Sequence, residues 1–184
     1  MDKMQLDQHI SRQFNADLEE LKTQLLEMGG LVEQQVIDAV KAIETGDSSL
    51  AEKVLKTEIE VDNREVKLDE DCTMVLARRQ PAASDLRMVL AVAKANRDLE
   101  RMGDEAHKIA KMALALGEMD TGKVGYSEVR HIGQSVQKMI NSALDAFARY
   151  DVQTALEVAH QDKEVDREYK SALRELVTYM MEDP

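Results

Sequence analysis

The sequence predicts an all-α protein, a duplicated three-helix bundle whose second copy lacks its last helix. Aromatic residues make up only 3% of 184 and Trp is absent. Leu, Ala, Met, Glu and Lys dominate instead, which suits helices and argues against a sandwich or barrel rich in Thr, Tyr and Phe. Apolar residues recur in steps of three and four over long stretches, the period of one helix face. The pattern of the first eighty residues then returns, shifted by 104 positions.

The first helix is read from Ile10, Phe14, Leu18, Leu21, Leu25, Met28, Val32, Val36, Ala39 and Ile43. Gly29-Gly30 interrupts this stripe without changing its phase, so the spacing predicts one helix with a bend or a close helix approach there. Gly46-Asp47 ends it. Ser49 and Glu52 have capping-box spacing and open a second helix at about Leu50, which Gln80-Pro81 stops at about Arg79. A third helix runs from about Ala82 to Leu116. Gly117, Gly122 and Gly125 mark the longest loop and the one domain boundary the sequence suggests. A fourth helix spans roughly Val129 to Arg149, and a fifth roughly Val152 to Met181.

With the 104-residue offset, Gly29 falls on Gly133, Val32 on Val136, Ala39 on Ala143, Asp47 on Asp151, Glu58 on Asp162 and Asp62 on Asp166. Any two amphipathic helices align somewhere, but a register that also matches turns and acid pairs points to duplication. The expected organisation is a first bundle over 1–118 and a partial second over 126–184. Pro81 turns the first copy into its third helix, and Pro184 occupies the matching place, so the second copy reads as truncated. An absent third helix leaves an apolar face on helices four and five, open to dimer pairing or swapping.

Charges of 24 basic against 36 acidic residues leave −12. Such a surface repels phosphate backbones and anionic lipid, which argues against nucleic acid and direct membrane insertion, and it favours cations and basic patches on partner proteins. Cys72 stands alone, so no internal disulfide forms, and a reducing compartment fits. The longest apolar run, Met88 to Ala93, is far too short to span a bilayer, and no signal peptide is recognised, so the cytoplasm is the expected location.

Two acid-x-x-x-acid pairs carry the chemistry: Glu58 with Asp62, and Glu100 with Asp104. Each places two carboxylates one turn apart on one helix face. Both lie on the stripes Leu55, Glu58, Asp62, Glu65, Asp69, Cys72, Leu76 and Leu86, Leu90, Ala93, Arg97, Glu100, Asp104, His107, Lys111, Leu114, which begin and end apolar. Helices joined by a short turn lie antiparallel. Glu58 is 23 residues before Pro81 and Asp104 is 23 after, while Asp62 and Glu100 are each 19 away. The pairs are therefore level. Glu65 and Arg97, each 16 away, are expected to form an ion pair bordering the cluster. Four carboxylates so close must either keep protons or be neutralised by cations. All-oxygen donors suit Mg, Mn or Fe, and Zn less well. Asp162 and Asp166 form the matching half of a second set.

Other motifs carry less. Glu128-x-x-His131 and Glu157-x-x-His160 resemble halves of a di-iron signature, but their histidines lie about ten residues apart in height, roughly 15 Å, and read as surface groups. Cys72 and His107 are far apart relative to Pro81, which leaves Cys72 as a small core residue. No Gly-rich phosphate loop, Ser-His-Asp order or nucleophile elbow is present.

Leu76-Ala-Arg-Arg-Gln-Pro-Ala-Ala-Ser-Asp-Leu-Arg87 and Arg97-Asp-Leu-Glu-Arg-Met-Gly-Asp-Glu-Ala106 closely resemble the PhoU family, and Val165-Asp-Arg-Glu-Tyr and Tyr179-Met-Met-Glu-Asp-Pro184 resemble its second repeat. The resemblance implies two three-helix bundles with pseudo-twofold symmetry and metal clusters on acid-x-x-x-Asp motifs, here Glu58, Asp62, Glu100, Asp104, Asp162 and Asp166. It implies a cytoplasmic, dimeric, non-enzymatic negative regulator of the phosphate-starvation response, an adaptor between the ATPase of a phosphate ABC transporter and a sensor histidine kinase. A sixth helix with another Glu-Arg-x-Gly-Asp stretch is expected of a full member and is not found here. The alternatives are a carboxylate-bridged metal enzyme and an inert helical bundle.

Overall fold

In a computed structural model the described residues form five α-helices: α1 (Lys3–Thr45), α2 (Ser48–Arg79), α3 (Ala83–Glu118), α4 (Tyr126–Arg149) and α5 (Val152–Glu182). The structure describes the backbone of residues 3–118 and 126–182, and the side chains of 12–117, 127–178 and 180–181. The Ile10 side chain, Gly122, Gly125 and Pro184 thus lie outside the described residues. Among the described residues, helices α1, α2 and α3 pack mutually, α4 lies against α1, and α5 rests on α4 alone. No described helix is long and apolar enough to cross a membrane.

The core of the first three helices has two parts. At one end Leu21, Leu25, Met28 and Val32 of α1 meet Val61, Leu68 and Cys72 of α2 and Val89, Val92 and Leu99 of α3. At the other, small residues let the helices approach closely: Ala39 and Ala42 with Ala51, Val54, Ala106, Ala110 and Ala113, joined by Ile140 from α4. Burying large aliphatic side chains of this kind stabilises the fold by roughly 1.5–3 kcal/mol each.

Sequence and structure agree on five helices, and α1 runs unbroken through Gly29-Gly30. The cap of α2 is corrected. Asp47, not Ser49, closes its N-terminus, because the Asp47 carboxylate accepts the N–H groups of Ser49 at 2.9 Å and Leu50 at 3.3 Å. Helix α2 accordingly starts at Ser48, and α4 starts at Tyr126, ahead of the expected Val129. At the other end of α2, Gln80 adopts a left-handed conformation (φ 47°) and its N–H reaches the carbonyl of Leu76, closing the helix just before Pro81.

The 104-residue repeat is visible in the turn chemistry and in the helix contacts. Gly46 and Tyr150 both take positive φ, 71° and 57°. Asp151 then caps α5 through the N–H groups of Gln153 and Thr154, as Asp47 caps α2. Where α1 crosses α4, a side chain on Gly29 would overlap Leu144 Cδ2, and one on Gly133 would stand 2.7 Å from Val40 Cγ2. Gly133 follows Gly29 by 104 positions and Leu144 follows Val40 by 104. The same contact is made twice, with α1 and α4 running antiparallel.

The position of the core stripe on α3 is corrected by one residue. Buried positions are Val89, Val92, Asn96, Leu99, Gly103, Ala106, Ala110 and Ala113. The stripe expected from Leu86, Leu90, Arg97 and Asp104 lies one residue on, about 100° around the helix, and Leu86 and Leu90 are exposed. Small and amide-bearing residues at the true core positions make that face look less apolar than its flank. On α2, the same correction leaves Glu58 and Cys72 buried but puts Asp62 and Asp69 in solvent.

Candidate functional site: a carboxylate cluster between α2 and α3

Glu58 is the acid the fold buries, with 6% of its surface exposed. It faces Gln35 of α1, only 1% exposed, whose Nε2 donates to Glu58 Oε2 at 2.7 Å. Gly103 of α3 closes the third side. A Cβ there would lie 3.1 Å from both Gln35 Oε1 and Glu58 Oε2, so a larger residue would crowd the pair. Neither Glu58 Oε1 nor Gln35 Oε1 has a hydrogen-bond partner among the described residues.

The remaining acids gather around this buried carboxylate. Burial is the main force pushing Glu58 above the usual carboxylate range, opposed by the Gln35 hydrogen bond and reinforced by repulsion from Asp62, Asp104 and Glu100. Half-buried Glu100 is raised as well, first by burial and then by Asp104, Glu65 and Asp62. The matched heights counted from Pro81 therefore place all four acids within mutual electrostatic reach. Asp62 and Asp104 are exposed, at the rim of the buried pair.

The expected Glu65–Arg97 ion pair does not form. Asn96, one residue earlier, occupies the inward position and donates to the backbone carbonyl of Glu65 at 2.9 Å, which turns the Arg97 side chain towards solvent. Asp162 and Asp166 are exposed on α5, with Lys170 3.8 Å from Asp166, and are not joined to the first four. His131 and His160 are exposed, and His131 lies 3.5 Å from Glu168. Cys72 is buried and its thiol is pushed up to about 11, chiefly by burial.

Gln35 and Gly103 escape a reading built on acids alone. Gln35 lies in phase with Met28, Val32, Ala39 and Ala42, and that spacing is the sequence signal that marks it as buried. For a cation, the donor chemistry fits: the acids offer only oxygen, and Glu58 presents a buried oxygen that no described residue satisfies. Among the described residues, no three His, Cys, Asp or Glu side chains converge closely enough, as they stand, to hold an ion.

On the groove side of α4 and α5, Val136, Ile140, Ala143, Val158, Asp162 and Val165 line about 580 Å³ of open space facing α3. Their counterparts 104 positions earlier are Val32, Val36, Ala39, Val54, Glu58 and Val61, all buried in the first three-helix unit.

The described residues form an all-helical bundle with acid-x-x-x-acid pairs on α2 and α3, the class of regulatory helical bundle to which its relatives belong. The chain belongs to the PhoU family, whose PhoU domain matches residues 25–113 and 129–184. It is 57% identical over 184 residues to the phosphate-specific transport system accessory protein PhoU homolog of Pseudomonas aeruginosa, covering 100% of this chain and 76% of that protein. The crystal structure of PhoU from Pseudomonas aeruginosa superposes with a TM-score of 0.91 at 58% identity, covering 93% of this chain and 82% of the other. The phosphate transport system regulatory protein PhoU from Streptococcus pneumoniae gives 0.84 at 28% identity, covering 92% and 80%.

Proposed function

We propose that the chain is a non-enzymatic regulator of phosphate-specific transport, a cytoplasmic adaptor that keeps the phosphate-starvation response off when phosphate is plentiful and modulates uptake. Its partners in this reading are the ATPase of the phosphate transporter and the sensor histidine kinase, engaged as a homodimer. The observation that carries the proposal is the 57% identity, along the whole chain, to a protein named for its accessory role in that transport system. The net charge of −12 supports docking through basic patches on partners.

Glu58, Asp62, Glu100 and Asp104 would hold a hard cation such as Mg, Mn or Fe, with Asp162 and Asp166 contributing to a second position. When bound, the ion supplies positive charge that relieves carboxylate repulsion and ties α2 to α3. Glu58 presents Oε1, and Gln35 and Gly103 fix where that oxygen sits. Exposed Asp62 and Asp104 and half-buried Glu100 stand around it as the further oxygen donors.

A strain lacking its own regulator tests the function. The chain is expected to restore repression of phosphate-starvation genes in high phosphate and to copurify with the transporter ATPase and the kinase. Failure of both would overturn the proposal.

A further inference from the structure

We infer that Gln35 is a positioning residue for the first carboxylate set, locking Glu58 so that its Oε1 is the oxygen offered to a cation, and that this lock makes the two sets unequal. The inference rests on the cation-binding reading above and adds a residue outside the acid motifs. Its basis is geometric. Gln35 comes from α1, a helix that contributes none of the acids, and is more deeply buried than the glutamate it holds. Its amide donates to one Glu58 oxygen only, at 2.7 Å, which leaves Oε1 buried and unsatisfied.

A buried glutamine beside a buried carboxylate, each with an unpartnered oxygen, is a costly arrangement for a core that needs only packing. A group that orients a ligand makes sense of it, because partners of this kind fix a carboxylate's rotamer and its donor direction. Gly103 is part of the same device, since any side chain there would press on the two oxygens at 3.1 Å.

The repeat sharpens the argument. The residue 104 positions after Gln35 is Met139, whose side chain has no N–H to donate and lines the groove beside Asp162. The repeat position of Gln35 therefore supplies no such lock to the second set, and Asp162 is exposed where Glu58 is held.

The test is Mn2+ binding by the full 184-residue chain, followed by electron paramagnetic resonance and calorimetry. Gln35→Met, which installs the residue of the second repeat, is expected to weaken the tighter Mn2+ site by roughly 10–100-fold, the usual cost of removing an outer-shell partner. Its circular dichroism should be unchanged. Gln35→Asn, one methylene too short to reach Glu58, should weaken binding similarly, and serves if the Met variant misfolds. Gln34→Met, on the exposed side of the same turn, should bind as the parent does. In a Glu58→Gln background, Gln35→Met should cost no further affinity. Parent-like affinity in both Gln35 variants overturns the lock, as does an equal loss with and without Glu58. If instead Glu58→Gln leaves Mn2+ affinity unchanged, the cation-binding reading itself fails.

Discussion

Burial and repulsion act together on Glu58, and the result is a carboxyl that resists ionisation in the metal-free protein. A carboxyl raised in the folded state keeps its proton where the unfolded chain has lost it. Its contribution to stability is present below the ordinary glutamate range and is lost as pH rises through the raised value. Metal-free protein should therefore melt at lower temperature as pH climbs through that window, and Glu58→Gln should flatten the dependence. At neutral pH the same variant should melt at a higher temperature, because it removes a carboxyl that burial and neighbouring acids disfavour in its charged form. A lower midpoint, measured calorimetrically, would contradict it. Cys72 obeys the same sign rule. Raised to about 11, its thiol adds stability that is lost only at strongly alkaline pH. Alkylation at pH 8 should proceed no faster than the protein opens, and rapid native-state labelling would show the burial to be wrong. The acids themselves were legible because their spacing and height are properties of the chain alone. Gln35 was legible only in part: its spacing with Met28, Val32 and Ala39 marks it as buried, but its role emerges only once Glu58 is placed opposite.

Among the helices, three glycines in α1 and α4 make contrasting demands. A side chain on Gly30 meets nothing within 4 Å, so Gly30→Ala should stabilise α1 by roughly 0.5–1 kcal/mol through backbone entropy. A side chain on Gly133 meets Val40, whose branched Cβ leaves it few rotamers to retreat into. Gly133→Ala should cost about 1–3 kcal/mol by overpacking. Gly29→Ala should fall between, because Leu144 presents the flexible end of its side chain. Urea titrations of the three variants check the ranking, and equal midpoints would refute it. The helices were readable from periodicity because each buries one face against neighbours at helical spacing. The phase of α3 is not legible from hydrophobicity, because Asn96, Gly103 and three alanines occupy its core face while Leu86 and Leu90 sit outside. Hydrophobicity marks a core face less clearly where helices approach closely and only small residues fit.

For the molecule as a whole, cohesion is uneven. Helices α1, α2 and α3 each lie against at least two others, whereas α5 rests on α4 alone and exposes Leu156, Tyr169, Leu173, Leu176 and Val177. Local opening should start there. Native-state hydrogen exchange is expected to find amides of α5 least protected and those of α2 near Leu68 and Cys72 most protected. Comparable protection in both helices would refute this ordering. The antiparallel contact of α1 with α4 has a consequence for variation among related sequences. Helix α1 lends faces to α2, to α3 and, across Gly29 and Val40, to α4, while Gln35 adds a polar contact to Glu58. Each of its inward positions answers to a different neighbour, so a substitution there must satisfy several partners at once. Permissible amino acids should accordingly be fewest along the middle of α1 and most numerous along the outer side of α5.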